Sequence, residues 1–252
     1  MKTYSNSEKG FTLVELAVVM IIIGLLIGGV LKGQELIKSA KVTSTISQVK
    51  AIDAATSTFQ DIYAGLPGDL ISADTRLPGC GGKCVPALGT QGNGVVEAAA
   101  IFTPADTEEI QAFFPQIGAA DLLSGIVEGT EQFGGNYPQT PVGGGFVAAT
   151  VPLATNLPGG MDTDVVGFRA GLYLMHQGTL GDLDVGAASP LTMQRIDRKI
   201  DDGNPFTGSV LAGSADGLDC GTPGATSVDP AVNAYNTTQS TLACNALIRI
   251  QN

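Results

Sequence analysis

The sequence predicts an α+β protein: one long N-terminal α-helix packed on a loop-rich head with short helices and a small antiparallel sheet. Three observations predict it. Residues 11–31 form a nearly unbroken apolar run in which Glu15 is the only charge. Val42, Ile46, Val49, Ile52, Ala55, Phe59 and Ile62 follow at spacings of three and four, the stripe of an amphipathic helix. Beyond them 34 glycines and 13 prolines, counted over the whole chain, punctuate short apolar segments, as turns punctuate brief elements.

The first helix begins in the run from Phe11 to Leu31. At about 1.5 Å per residue these residues span roughly 30 Å, the thickness of a bilayer's hydrocarbon core. A carboxylate inside such a segment is costly in lipid, so Glu15 calls for a partner and a function. Around it stands Lys9-Gly10-Phe11-Thr12-Leu13-Val14-Glu15-Leu16, a short basic leader ending in glycine and then Phe-Thr-Leu-x-Glu. This motif resembles the processing and methylation site of type IV prepilins and pseudopilins. The resemblance implies that a prepilin peptidase removes residues 1–10 by cutting between Gly10 and Phe11, then methylates the new amino group of Phe11. It also implies that Glu15, fifth in the mature chain, is the assembly glutamate that pairs with the amino terminus of a neighbouring subunit. Opposite charges buried together attract, whereas either alone bears the desolvation cost.

The helix is expected to continue to about Ala64, where Tyr63-Ala64-Gly65-Leu66-Pro67 supplies a stop: glycine for a left-handed cap and proline two residues later. Residues 11–64 then make one rod of roughly 80 Å, transmembrane over 11–31 and amphipathic above. Gly24, Gly28 and Gly29 each cost about 1 kcal/mol relative to alanine in a helix interior, and also permit close helix packing.

Residues 65–252 form the expected head. Leu66-Pro67-Gly68-Asp69 and Gly89-Thr90-Gln91-Gly92-Asn93-Gly94 read as turns. Thr103-Pro104 reads as a helix start, followed by a short helix through Ile110, Phe113, Phe114 and Ile117 that breaks near Pro115. A second short helix covers Ala119–Val127. Residues 129–160, rich in glycine and proline, read as a long surface loop. Strands are expected at Val165–Leu174, Ser209–Ala212 and Leu247–Ile250, with a helix at Leu191–Ile200 ending at Asp201-Asp202-Gly203.

Charge is unevenly distributed. Residues 1–50 carry six lysines against Glu8, Glu15 and Glu35, a net of +3, and the remainder carries seven basic and 21 acidic residues, a net of −14. So acidic a body disfavours nucleic-acid binding. Lys2 and Lys9 precede the apolar run, while Lys32, Lys38 and Lys41 follow it. Charge alone therefore does not place the leader in the cytoplasm; the family resemblance does. It implies a bacterial inner-membrane protein, single-pass with its head in the periplasm, that later enters a periplasmic or extracellular filament.

The four cysteines, an even number, suit an oxidising compartment. Three pairings are open. Cys80–Cys84 with Cys220–Cys244 is preferred because each closes a local loop, and a four-thiolate zinc site is the alternative, although the second pair lacks knuckle spacing. His176 is the only histidine, and no Ser or Cys nucleophile motif accompanies it, so a structural role at or near the surface is expected. The glycine-rich stretches lack phosphate-loop and dinucleotide-binding spacings and read as turns. No enzymatic activity and no resident cofactor are expected. Acidic loops at Asp162/Asp164, Asp182/Asp184 and Asp201/Asp202 could supply oxygen ligands to calcium, which some pseudopilins hold in a loop near the C-terminal sheet.

The expected function is that of a structural filament subunit of a type IV pilus or type II secretion system. Its partners are other pilin or pseudopilin subunits, the prepilin peptidase, the inner-membrane assembly platform and the membrane itself. Removing ten leader residues from 252 leaves 242, a size that points to a minor pilin or minor pseudopilin. A major pilin with an elaborated head is the alternative within the class. Outside it stands a membrane-tethered module that binds a surface, sugar or secreted cargo.

Overall fold

The computed structural model describes residues 10–86, 91–97, 108–127, 129–152, 168–182, 185–214, 220–222 and 234–250. It is an α+β chain. The elements in order are α1 (Leu13–Tyr63), α2 (Ala73–Arg76), α3 (Glu109–Ala119), β1 (Gly145–Val151), β2 (Gly171–Gln177), α4 (Pro190–Ile200), β3 (Val210–Ser214), β4 (Gly221–Thr222), β5 (Ala234–Tyr235) and β6 (Cys244–Arg249). Two compact units divide the chain at Lys41 and Val42, inside the continuous helix α1.

In the first unit, α1 is apolar all round and its side chains are exposed from Leu13 to Leu31. Among the described residues it is the one helix long and apolar enough to cross a membrane. In the second unit the same helix buries one face: Val42, Thr45, Ile46, Val49, Ile52, Ala55, Thr56 and Phe59. Thr56 joins the apolar stripe because its hydroxyl donates to the Ile52 carbonyl at 2.8 Å, which satisfies the only polar group it carries inward. Ile62, expected on the stripe, is 60% exposed, so the buried face ends at Phe59. The left-handed residue that ends α1 is Ala64 (φ 53°) and not Gly65. Its N–H still donates to Gln60 at 2.8 Å, and the Arg76 guanidinium caps the Tyr63 carbonyl.

A four-stranded antiparallel sheet has the order β1-β2-β6-β3. Phe146 stands opposite His176 in the first pair, and Met175 opposite Leu247 in the second. Val49, Ile52, Ala55 and Phe59 of α1 share one core with Ile110, Phe113, Phe114 and Ile117 of α3 and with Phe146, Leu174 and Leu247 of the sheet. A second core joins Val42 and Ile46 of α1 to Met193 and Ile196 of α4, with Ala212, Tyr235 and Ala246.

Several expectations for the head change. Pro115 lies inside α3 without ending it; the missing N–H removes one hydrogen bond, and burial of Ile110 through Ile117 holds the turn together. No helix covers 119–127, because Asp121 (φ 57°) and Gly125 (φ 85°) are left-handed and stop one from forming. The stretch 129–160 is not one long surface loop, since β1 runs through it with all but Thr150 fully buried. Gly144 makes that entry possible: at φ 64°, a Cβ there would lie 1.9 Å from the Gln177 carbonyl oxygen. Of the described part of the strand expected at Val165–Leu174, residues 168–170 lie outside any strand; β2 begins at Gly171 and ends beyond Leu174, at Gln177. The expected helix start at Thr103-Pro104, residues 153–160 and the Val165–Gly167 portion of the expected strand lie outside the described residues.

Candidate functional site

Gly10 and Phe11 precede the first helical turn, and Phe11 is 84% exposed. Thr12 caps α1. Its hydroxyl oxygen accepts the Glu15 N–H at 3.3 Å, while Glu15 Oε2 accepts the Thr12 N–H at 2.9 Å and the Thr12 hydroxyl at 2.9 Å. This is a reciprocal capping box, in which residues three apart satisfy each other's orphan donors. The Thr-x-x-Glu spacing is legible in the sequence, where the apolar run and the processing motif overshadow it. The peptide bond between Gly10 and Phe11 thus lies just outside the helix, and the Glu15 carboxylate is folded back over the first turn. A carboxylate near a helix N-terminus also meets the favourable end of the helix dipole.

The body holds its own acidic groups, which periodicity gave no reason to place inside. Asp69, 1% exposed, accepts the N–H groups of three consecutive residues: Gly92, Asn93 at 3.2 Å and Gly94 at 2.7 Å. The first turn and the described part of the second, residues 91–94, are therefore one structure, a carboxylate seated in a backbone cradle, while Gly89 and Thr90 lie outside the described residues. Gly68 beside it must be glycine, because at φ 88° a Cβ would lie 2.6 Å from the Glu109 carbonyl oxygen. Its N–H donates to Gln116 Oε1 at 2.6 Å, and Gln116 Nε2 donates to the Cys84 carbonyl at 2.9 Å. Glu109 is fully buried; Oε2 accepts the Glu97 N–H at 2.8 Å and Oε1 has no hydrogen-bond partner. Burial, with Asp69 and Glu97 adding like charge, pushes its carboxyl up to about 7.

Asp197, Asp201 and Asp202 bring carboxylate oxygens within 4.8 Å of one another after α4. Of the calcium candidates, Asp201 and Asp202 join this group, Asp182 does not, and Asp184 lies outside the described residues, as do Asp162 and Asp164. Asp197, which sequence reasoning did not select, is the buried member. Its Oδ2 accepts the Tyr235 hydroxyl at 2.8 Å and its Oδ1 the Gly203 N–H at 3.1 Å. Burial pushes its carboxyl up to about 7, and burial next to Asp197 pushes the Tyr235 phenol up as well. Asp201 accepts the Ser209 N–H and hydroxyl, and Asp202 the Asn204 N–H at 2.8 Å and the Thr207 hydroxyl at 2.5 Å. The donors already facing these oxygens make the cluster a brace for the loop 201–210.

His176 is not at the surface. It lies inside β2, 1% exposed, with Nε2 at 2.8 Å from the Gly143 carbonyl and 3.0 Å from the Thr140 hydroxyl. A carbonyl only accepts, so Nε2 carries the hydrogen and pins the turn into β1. Burial holds the imidazole down at about 4, neutral at physiological pH. The structure joins Cys80 to Cys84 and Cys220 to Cys244. All four thiols are taken, which is incompatible with a four-thiolate zinc site.

Residues 5–31 match the family model of the prokaryotic N-terminal methylation motif, the type IV prepilin signature. No curated protein and no solved structure matches the chain.

Proposed function

We propose that this chain is a minor subunit, pilin or pseudopilin, of a type IV pilus or type II secretion filament. The single observation that carries the proposal is the methylation motif at residues 5–31, continuous with an exposed apolar helix of membrane-crossing length. The motif supports a type IV pilin-like or pseudopilin subunit. The size of the remaining chain supports the minor role.

In this proposal residues 1–10 are the leader, and α1 crosses the inner membrane between Phe11 and Leu31 with the rest of the chain on the periplasmic side. The prepilin peptidase cuts the exposed, non-helical bond between Gly10 and Phe11 and methylates the Phe11 amine. The assembly platform then draws α1 out of the bilayer among other subunits. Glu15 recognises the incoming amino terminus. Its carboxylate is held at the first turn by Thr12, near the residue that becomes the mature amino terminus.

The experiment is Glu15→Gln in the full chain, expressed with its assembly machinery. Membrane insertion and leader removal, read by fractionation and gel mobility, should persist, while recovery in sheared filaments drops at least tenfold. Undiminished incorporation would sink the assembly role of Glu15. Retention of residues 1–10 in the wild-type chain would sink the processing assignment.

A further inference from the structure

The apolar part of α1 ends at Leu31, and the next ten residues carry Lys32, Lys38 and Lys41, all exposed. Glu35 is the only acid among them, so the segment has a net charge of +2. Its contact with Lys32, at 2.7 Å, is an exposed pair with side chains 69% and 58% accessible, the kind that contributes little and yields readily to another anion. On the proposed topology this is the translocated flank of the span, where lysine and arginine are ordinarily sparse. Their concentration there calls for a reason.

Geometry supplies one. Lys41 lies nine residues beyond Lys32 on an unbroken helix, so the three ammonium groups originate within about 14 Å of axis. A headgroup layer occupies roughly 6 Å on each side of the hydrocarbon core, and screening in physiological salt extends over about 8 Å more. At 100° per residue, Lys38 and Lys41 leave the helix about 240° and 180° round from Lys32. They form an open collar over half the circumference, with Lys32 and Lys41 on opposite sides and Lys38 between them, instead of a stripe on one face. A single protein partner meets one face of a helix; a lipid annulus surrounds it. Lysine, a compact charge on a flexible stem, reaches along the helix to wherever a phosphate lies.

We infer that Lys32, Lys38 and Lys41 form a lipid-binding collar that selects anionic phospholipid headgroups in the leaflet at the Leu31 end of the span. The inference rests on the membrane-spanning reading of α1. The collar retains the subunit at the membrane surface until extraction and sets its depth there. It also makes extraction sensitive to anionic lipid content.

The test is lipid selectivity around the full chain reconstituted in phosphatidylcholine bilayers, with spin-labelled phosphatidylglycerol or phosphatidylcholine as the probe. The restricted lipid component should favour phosphatidylglycerol about three- to fivefold. This preference should fall to about one in 0.5 M NaCl, and in Lys32→Gln/Lys38→Gln/Lys41→Gln at low salt. Equal association of the two lipids with the wild-type chain overturns the collar. So does a preference that survives the triple substitution. If lipid association is equal but the triple variant loses subunit cross-links in assembled filaments, the lysines bind a second copy of the chain, which also overturns it. Absence of any restricted lipid component has a different meaning, because it refutes the membrane-spanning reading itself.

Discussion

Glu109 offers the sharpest quantitative test of how the body is built. Its carboxyl titrates near 4.5 in an unfolded chain and is pushed up to about 7 by burial in the folded one. The folded state therefore holds its proton more tightly, and the stabilisation is fully present below pH 4.5 and lost as pH rises through 7. At about 1.4 kcal/mol per unit, the shift corresponds to about 3 kcal/mol between those limits. Glu109→Gln removes the ionisation while its amide oxygen can still accept the Glu97 N–H. The variant should match the wild type near pH 4.5 and exceed its stability by about 2–3 kcal/mol at pH 8. Asp197 also titrates near 7, but it is present in both proteins and cancels in the difference. Guanidinium unfolding of the full chain in detergent micelles, followed by near-ultraviolet circular dichroism, is the assay. The chain has no tryptophan, and Tyr137, Tyr173 and Tyr235 are buried in the body, so this signal reports the body and not the apolar helix. A variant-minus-wild-type difference that is the same at pH 5 and pH 8 would refute the reasoning.

Two further outcomes follow from the loops. Replacing Cys220 and Cys244 together by alanine should cost about 3 kcal/mol and replacing Cys80 with Cys84 about 2, since the first bridge closes 24 residues of separation and the second four; equal unfolding midpoints for the two double variants would contradict this ordering. Asp69→Ala strips the side-chain acceptor from the Asn93 and Gly94 N–H groups, while Gly92 keeps its bond to the Asp69 backbone carbonyl at 2.8 Å, and should cost about 3 kcal/mol, with hydrogen exchange at Asn93 and Gly94 accelerating first; unchanged exchange there would mean that the cradle is not held by the carboxylate.

The N-terminal helix was legible because one signal repeats over many turns. An apolar run and then a three-four stripe leave only the ends to argue about, and even there Ala64 took the left-handed position expected of Gly65. β1 was not legible, for a physical reason. Phe146 through Ala149 and Val151 are all fully buried, so the strand shows no alternation, and the preceding glycines look like loop until Gly144 is seen passing close to Gln177. α3 hid its polar residues in the same way. It is buried along its whole length to Ile117, so Glu109, Gln111 and Gln116, which would face water on a half-exposed helix, are enclosed. The N-terminal methylation motif stood in the sequence, while the Thr12–Glu15 box needed the helix start to be known.

One device recurs through the body. Asp69 gathers the N–H groups of Gly92, Asn93 and Gly94, Glu109 takes the N–H of Glu97, and Asp197 takes the N–H of Gly203 with the Tyr235 hydroxyl. A buried acid bridging two stretches of backbone does what a regular element does elsewhere, satisfying donors that a glycine-rich turn would otherwise leave to water. Carboxyls displaced toward neutral pH often mark catalytic centres, but structural networks displace them too. Here Glu109 and Asp197, the acids so displaced among the described residues, each accept a backbone N–H of the body. The acid at the start of α1 is different in kind. Glu15 is exposed, and the hydrogen bonds to its carboxylate among the described residues come from Thr12 in its own first turn, which is the arrangement the proposed pairing with another chain's amino terminus starts from.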